Sequence, residues 1–83
     1  MRIVFKPSAI KELGRLPEKI QKSILQHIEA LTHDPRPYGA IKLTNSELYR
    51  IRVSSYRVIY EINDQEIKIV IVRIRHRKDA YKS

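Results

Sequence analysis

Three arginines, Arg50, Arg52 and Arg57, stand on either side of a predicted turn at Ser54-Ser55 and are suited to binding an anion. Successive side chains of a β-strand point to opposite faces, so Arg50 and Arg52 share one face, which Arg57 joins if the register allows. Guanidinium groups on one surface repel each other unless an anion lies among them, and arginine fits the geometry of phosphate. We therefore predict a phosphate-binding face. The alternative is a solvated face whose charges keep the protein soluble and protect the edges of the sheet.

A second basic cluster lies near the C-terminus and ends in an aromatic residue: Arg73, Arg75, His76, Arg77, Lys78 and Tyr81. Histidine ordinarily titrates near neutral pH, so His76 is a candidate for moving protons as well as for a structural role. Tyr81 could stack on a nucleobase or donate its hydroxyl to a phosphate, or it could pack the C-terminus onto the sheet. We predict that both clusters line one site for a polynucleotide backbone, against the alternative of a disordered basic tail.

The composition favours an anionic partner. The 83 residues carry 17 lysines and arginines against 9 acidic residues, which gives a formal charge of +8. Such an excess favours nucleic acid or an acidic protein over a membrane surface. The length predicts a single domain over residues 1–83. No apolar run is long enough to cross a bilayer, no signal-peptide pattern is present and cysteine is absent, so we expect a cytoplasmic protein.

Several kinds of site have no counterpart in the sequence. No group of His, Asp and Glu has the spacing of metal ligands. The two glycines, Gly14 and Gly39, do not form a phosphate-binding loop. We therefore expect neither a metal nor another cofactor, so any cleavage of a phosphodiester would proceed without a two-metal site.

The N-terminal half predicts one strand and two helices. Arg2 to Lys6 alternates as a short strand, and Ser8 is suited to be the N-cap of a first helix. Pro17 suits the first position of a second helix, which we expect to end at about Thr32 or His33, before a proline-rich loop. Apolar residues at helical spacing predict the helical part of the core: Ile10, Leu13, Ile20, Ile24, Ile28 and Leu31.

The C-terminal half predicts three strands joined by hairpin-length turns, Leu48–Val53, Tyr56–Ile62 and Glu66–Ile74. The segment from Ile67 to Val72 is apolar on nearly both faces, which indicates a central strand. We predict an α+β fold in the order βααβββ. In this fold two N-terminal helices pack on one face of a small, mainly antiparallel four-stranded sheet, and the arginines occupy the other face.

Short segments along nearly the whole chain follow one another in a characteristic order: Phe5–Leu13, Leu16-Pro17, Asp34–Pro37, Lys42-Leu43, Leu48–Val53, Tyr56–Ile62 and His76–Tyr81. In this order and spacing they resemble the RelE/ParE toxin superfamily, and within it the RelE-type mRNA interferases. The resemblance implies a RelE-like fold and a toxin that cleaves mRNA in the ribosomal A site. It also implies a cognate antitoxin that wraps the toxin in a hetero-oligomer.

The resemblance also implies roles, by position, for Arg50, Arg52, Arg57, Arg77 and Tyr81, and the remaining candidates come from the chemistry of the basic residues and His76 themselves. The candidate catalytic residues are Arg50, Arg52, Arg57, His76, Arg77 and Tyr81. The candidate RNA contacts are Arg73, Arg75, Lys78 and Lys42. Arginine stays protonated and is a poor general base, so proton transfer falls to His76 or Tyr81, in an order that the sequence leaves open.

Two other functions stay open at this point. The ParE branch of the superfamily shares the fold but poisons DNA gyrase and is not a nuclease. A nucleic-acid-binding module without chemistry needs the same basic face and the same small fold.

Overall fold

The structure, a computed structural model, describes residues 1–78, so the prediction for Tyr81 lies outside the described residues. The elements are β1 (Arg2–Phe5), α1 (Pro7–Gly14), α2 (Glu18–Ala30), β2 (Ile41–Lys42), β3 (Leu48–Val53), β4 (Tyr56–Asn63) and β5 (Lys68–His76). The strands form one sheet in the order β1-β5-β4-β3-β2, in which β1 runs parallel to β5 and the other pairs are antiparallel. The α+β class and the helix–strand order are therefore confirmed.

The sheet has five strands in the described residues, whereas the sequence predicted four. The additional strand is β2, a two-residue segment in the region expected to be loop up to about Ile41. It pairs Ile41 with Arg50 and Lys42 with Tyr49. A strand this short has no period of its own in the sequence and exists because β3 offers it backbone partners.

The predicted helix starts were each displaced by one or two residues. Lys6 occupies the N-cap position of α1 and Pro7 is the first helical residue. Ser8 is therefore not the cap, and its hydroxyl instead donates a hydrogen bond to the carbonyl of Val72 at 3.1 Å. Pro17 is the N-cap of α2 rather than its first residue, and α2 ends at Ala30, earlier than predicted.

The helices cover one face of the sheet and form the core with it. The buried core consists of Ala9, Ile24, Ile28, Leu31, Ile51, Val53, Val58, Tyr60, Ile69, Ile71 and Ile74. Leu13 and Ile20 pack against it while staying half-buried, but Ile10 is 57% exposed and the prediction for it was wrong. The buried stripe of α1 runs through Ala9 and Leu13, and Ile10 lies about 100° around the helix from Ala9.

Tyr60 fixes the loop that follows α2. Its fully buried side chain donates a hydrogen bond to the carbonyl of Pro35 at 2.7 Å. Burial, together with the adjacent Tyr49, raises the pKa of Tyr60 from 10.0 to about 12. The rings of Tyr49 and Tyr60 stack with centroids 5.9 Å apart, and Arg36 Nε donates to the Tyr49 hydroxyl at 3.2 Å. These contacts hold the loop against the helix-covered face of β3 and β4.

Candidate functional site

Three arginines lie side by side on adjacent strands. In the β3–β4 hairpin Arg52 is directly opposite Arg57, and in the β4–β5 pair Arg57 is directly opposite Arg75. Directly opposed residues project from the same face, and neighbouring strands are about 4.8 Å apart, so the three guanidinium groups form a short row across the sheet. We call Arg52, Arg57 and Arg75 the arginine row. Arg57 therefore joins Arg52 on one face, which the sequence left dependent on the register of the hairpin.

Two further arginines lie at the next level of the same face. Arg50 is opposite Ile59, and Ile59 is opposite Arg73. The face opposite the helices thus carries five arginines grouped around one isoleucine: Arg50, Arg52, Arg57, Arg73 and Arg75. We call this surface the arginine face. It brings residues from the two basic clusters of the sequence into one place.

A bulge in β5 is what puts Arg73 and Arg75 on this face. The register shifts between Ile59 and Tyr60, so that Ile59 is opposite Arg73 and Tyr60 is opposite Ile71, which leaves Val72 as an extra residue. Without the extra residue, Arg73 and Arg75 would alternate in phase with Ile71 and would point into the core. The bulge instead buries Ile74 and turns both arginines outward.

Glu12 in α1 contacts two of these arginines, and no pattern in the sequence predicted these contacts. Its Oε2 lies 3.4 Å from Arg73 Nη1 and 3.4 Å from Arg75 Nε. Its Oε1 accepts a hydrogen bond from the backbone N–H of Ile74 at 3.0 Å. The predicted RNA contacts Arg73 and Arg75 are therefore held by a carboxylate at the end of the arginine row, and each guanidinium has further N–H groups besides the one that contacts Glu12.

His76 does not lie on the arginine face. It is directly opposite Tyr56, which is in turn opposite Val53, and both share the helix-covered face. Its ring packs edge-on against the Tyr56 ring with centroids 5.2 Å apart, and its Nδ1 accepts the backbone N–H of Lys78 at 3.2 Å. The structure thus separates His76 from the arginine row by the thickness of the sheet, which corrects the expectation of one shared surface.

Arg77 and Lys78 follow β5 at the same end of the sheet as the arginine row. The backbone N–H of Arg77 donates to the carbonyl of Ser55 at 2.7 Å, which ties the end of β5 to the β3–β4 turn. Ser55, His76, Arg77 and Lys78 line a concavity of about 330 Å³ there. Arg77 is therefore close in space to the hairpin that carries Arg57, and the two predicted clusters meet at one end of the molecule.

Lys42 lies apart from the other predicted contacts. Because β2 pairs Lys42 with Tyr49, the lysine projects from the helix-covered side, and Ile41 takes the position on the arginine face. The Lys42 ammonium is 3.9 Å from the carboxylate of Glu47. The structure gives no support to Lys42 as a member of the same RNA-binding surface.

A groove of about 620 Å³ adjoins the open end of the arginine row, between the end of α2, the following loop and β3. Leu31, Tyr38, Ile51 and Arg52 are among the residues of its walls. Tyr38 is fully exposed at its rim. The groove makes Arg52 accessible from the side of the sheet as well as from the arginine face.

Over residues 1–78, no group of three His, Asp or Glu side chains could hold a metal ion. Over that same part of the chain, no helix is long and apolar enough to cross a membrane.

Known proteins resemble this chain in sequence and in fold. A family profile described as the ParE toxin of type II toxin-antitoxin system, parDE, matches residues 3–81. The chain is 33% identical over 78 residues to the putative toxin RelE1 of Methanocaldococcus jannaschii, covering 89% of this chain and 87% of that protein. It is 31% identical over 77 residues to the toxin RelE of Mycobacterium tuberculosis, covering 90% and 79%.

A solved structure gives the same result for the fold. The chain superposes on a chain of the archaeal RelE–RelB complex from Pyrococcus horikoshii with a TM-score of 0.81 and 30% sequence identity. The match covers 92% of this chain and 93% of that one. Two helices packed on a mostly antiparallel sheet are thus common to both proteins.

Proposed function

The chain belongs to the RelE/ParE superfamily of type II toxin–antitoxin toxins, and we propose that it is a metal-independent endoribonuclease that cleaves mRNA in the ribosomal A site. The observation that supports this proposal best is the arginine row, in which Arg52, Arg57 and Arg75 occupy adjacent positions on three strands. Planar guanidinium groups bind phosphate oxygens through paired N–H donors. A row of them matches the charge of a polynucleotide backbone better than it matches a neutral substrate.

RNA carries its own nucleophile, so this reaction needs only positioning, charge stabilisation and proton transfer. The ribose 2′-oxygen attacks the adjacent phosphorus while its proton is removed. The bond from phosphorus to the 5′-oxygen breaks, and that oxygen gains a proton. The products are a 2′,3′-cyclic phosphate and a 5′-hydroxyl. Negative charge builds up on the phosphate in the transition state. Hydrogen-bond donors that the protein already holds in position stabilise this charge, and this is usually the largest single contribution to the rate.

The described residues would contribute differently to phosphate binding and to proton transfer. Arg57, at the centre of the row, would bind a non-bridging oxygen of the scissile phosphate, with Arg52 and Arg75 on either side and Arg50 and Arg77 nearby. His76 would reach the reacting atoms only if the RNA bends around the end of the sheet, through the concavity that His76 shares with Arg77. Proton transfer by His76 or Tyr81 therefore stays a prediction, and we propose that the ribosome supplies part of the substrate geometry.

The partner that we propose is a cognate antitoxin that covers the arginine face. RelE toxins have been crystallised as RelE–RelB complexes, including that from Pyrococcus horikoshii. A formal charge of +8 favours an acidic protein on this surface, and such a protein would exclude RNA by occupying the same guanidinium groups.

The test is cleavage of a short mRNA on purified ribosomes stalled with an empty A site. We expect cuts at codon-phased positions, mapped by primer extension, with 2′,3′-cyclic phosphate at the new 3′ ends. Free RNA of the same sequence, incubated with a chelator, should be cut slowly at the same bonds. Intact mRNA after prolonged incubation with the folded protein would contradict the proposal.

A second function is favoured by the description of the matched family, which names ParE toxins. We therefore include DNA gyrase supercoiling as a parallel assay with the same preparation. Inhibition of supercoiling with uncut mRNA would assign the protein to the gyrase-poisoning branch. RNA binding with neither effect would assign it to a module without chemistry.

A further inference from the structure

Glu12 lies at the Arg75 end of the arginine row, and both of its carboxylate oxygens have partners. One oxygen accepts the N–H of Ile74, and the other contacts Arg73 and Arg75. The Glu12 side chain is only 20% exposed, so water screens these contacts less than it screens a surface ion pair. The carboxylate is thus a defined element of this surface.

The geometry determines how Arg75 is presented. Glu12 contacts Arg75 through Nε, the nitrogen nearest the side-chain stem, whereas it contacts Arg73 through a terminal nitrogen. A guanidinium held at Nε keeps its two terminal nitrogens for another acceptor. Arg75 lies directly opposite Arg57 in the β4–β5 pair, so the contact with Glu12 anchors Arg75 at a position next to Arg57.

From this arrangement we propose that Glu12 is a positioning residue of the nuclease site, which holds Arg75 beside Arg57 so that both bind the same phosphate. This role rests on the proposed function. Glu12 also offsets part of the repulsion between neighbouring cations, which lets Arg75 stay in the row when no RNA is bound.

A positioning role and a purely electrostatic role predict different cleavage rates when the charge of Glu12 is removed. Replacing an anion near the site by a neutral group raises the local positive charge, so RNA binds as well as before or more tightly. If Glu12 positions Arg75, the same change loosens one phosphate ligand, and cleavage falls although binding does not. A merely structural role would lower thermal stability and would leave cleavage of the folded protein unchanged.

The variant Glu12→Gln separates these cases, because its amide oxygen still accepts the N–H of Ile74 and its volume is nearly unchanged. The matched control is Glu18→Gln, which removes an acidic side chain from an exposed pair with Lys22 in α2 and raises the net charge equally. Binding is measured with a fluorescent, 2′-O-methylated single-stranded RNA at several salt concentrations. Cleavage is measured under single-turnover conditions on ribosome-bound mRNA, below the melting temperature of every variant.

We expect Glu12→Gln and Glu18→Gln to bind the methylated RNA at least as tightly as the wild type. Glu12→Gln should cleave at least about 10-fold more slowly, as is typical when a catalytic group is displaced by a fraction of an ångström to an ångström. Glu18→Gln should cleave at the wild-type rate. Equal cleavage by the wild type, Glu12→Gln and Glu18→Gln would overturn the proposal.

A second variant keeps the proposal testable if Glu12→Gln does not fold. Arg75→Lys preserves the charge but has no Nε–H for Glu12 to hold, so it should lose about as much cleavage as Glu12→Gln. Where Glu12→Gln does fold, combining the two changes should add little, because both break one interaction. Wild-type cleavage by Arg75→Lys, or fully additive losses, would contradict the role of Glu12. A wild type that cuts no mRNA would overturn the proposed nuclease itself, together with this role.

Discussion

One flank of β5 is closed by side chains of α1 beyond the pairing with β1, whereas over residues 1–78 the outer flank of β3 has no partner strand beside the arginine row. Beyond its pairing with β1, β5 receives hydrogen bonds from α1, in which Ser8 donates to Val72 and Glu12 accepts from Ile74. On β3, the pairing with β2 ends at Arg50. Leu43 donates to the carbonyl of Leu48, so even-numbered residues of β3 direct their backbone groups toward this edge.

The difference gives the arginine row a fixed end and a free end. Arg75 is held by a carboxylate in a half-buried setting, and its side chain is 26% exposed. Arg52 is exposed and borders the groove, where its peptide group also faces outward by the alternation of β3. We infer that the fixed end orients the phosphate for reaction, and that the free end attracts RNA or an acidic partner from solution.

Replacing Arg57, at the centre of the arginine row, should have the largest effect on the cleavage rate. Arg57→Ala removes a donor that lies between the two ends, and the loss of one such donor typically lowers the rate about 10²–10³-fold. Single-turnover cleavage of ribosome-bound mRNA measures it. Arg15→Ala is the matched control, because Arg15 is exposed at the end of α1 and lies outside the arginine face. Equal rates for the two variants would remove the row from the mechanism.

The loop after α2, which lies beside the free end of the row, should lose stability when the Tyr60 hydroxyl that holds it is removed. Tyr60→Phe leaves the Pro35 carbonyl without its donor, which costs about 1–3 kcal/mol of unfolding free energy. The folded state holds the Tyr60 proton more tightly, since the pKa is raised from 10.0 to about 12. The contribution of Tyr60 to stability should therefore be complete below about pH 10 and should be lost as the pH rises through about 12.

Denaturant unfolding at several alkaline pH values checks both parts of this expectation. Tyr60→Phe should lose the component of the alkaline decline that Tyr60 contributes. Tyr38→Phe is the control for the loss of a hydroxyl, because Tyr38 is fully exposed and its replacement should leave the stability at neutral pH unchanged. A Tyr60→Phe protein with wild-type stability at neutral pH would show that the loop is held by other contacts.

Replacing Arg52, at the free end of the arginine row, should have the smallest effect, and this effect should be mainly on RNA binding. Arg52→Ala should lower the affinity for single-stranded RNA a few-fold and reduce the slope of log affinity against log salt by about 0.7. Cleavage at saturating RNA should change much less than in Arg57→Ala. If Arg52→Ala instead slowed saturated cleavage as strongly as Arg57→Ala, the two ends of the row would be equivalent and the distinction between them would be lost.

The β3–β4 hairpin was predictable from the sequence, because its two-residue turn at Ser54-Ser55 fixes the register and so places Arg57 opposite Arg52. Alternation along β5 also contained the information that separates His76 from Arg75 and Arg77, although the prediction grouped all of them. The position of the bulge was harder to obtain. The buried isoleucines change phase between Ile71 and Ile74, which signals an extra residue without fixing where it lies.

Glu12 could not have been found from the sequence. A single glutamate in a short amphipathic helix is typical of a solvated helix face, and its partners Arg73 and Arg75 lie about sixty residues away in the chain. Only the packing of α1 against the edge of β5 brings them together. β2 is a similar case, since its two residues become a strand only through their pairing with β3.

Arginine side-chain NMR tests the central claim, that Arg52, Arg57 and Arg75 form one phosphate-binding row, most directly. The Nε–Hε signals of the ¹⁵N-labelled protein are followed during titration with a 2′-O-methylated trinucleotide that cannot be cleaved. We predict that the signals of Arg52, Arg57 and Arg75 shift along one common binding curve, while those of Arg2 and Arg15 stay in place. Shifts of similar size at all five arginines, or an unmoved Arg57 signal at saturation, would contradict the account.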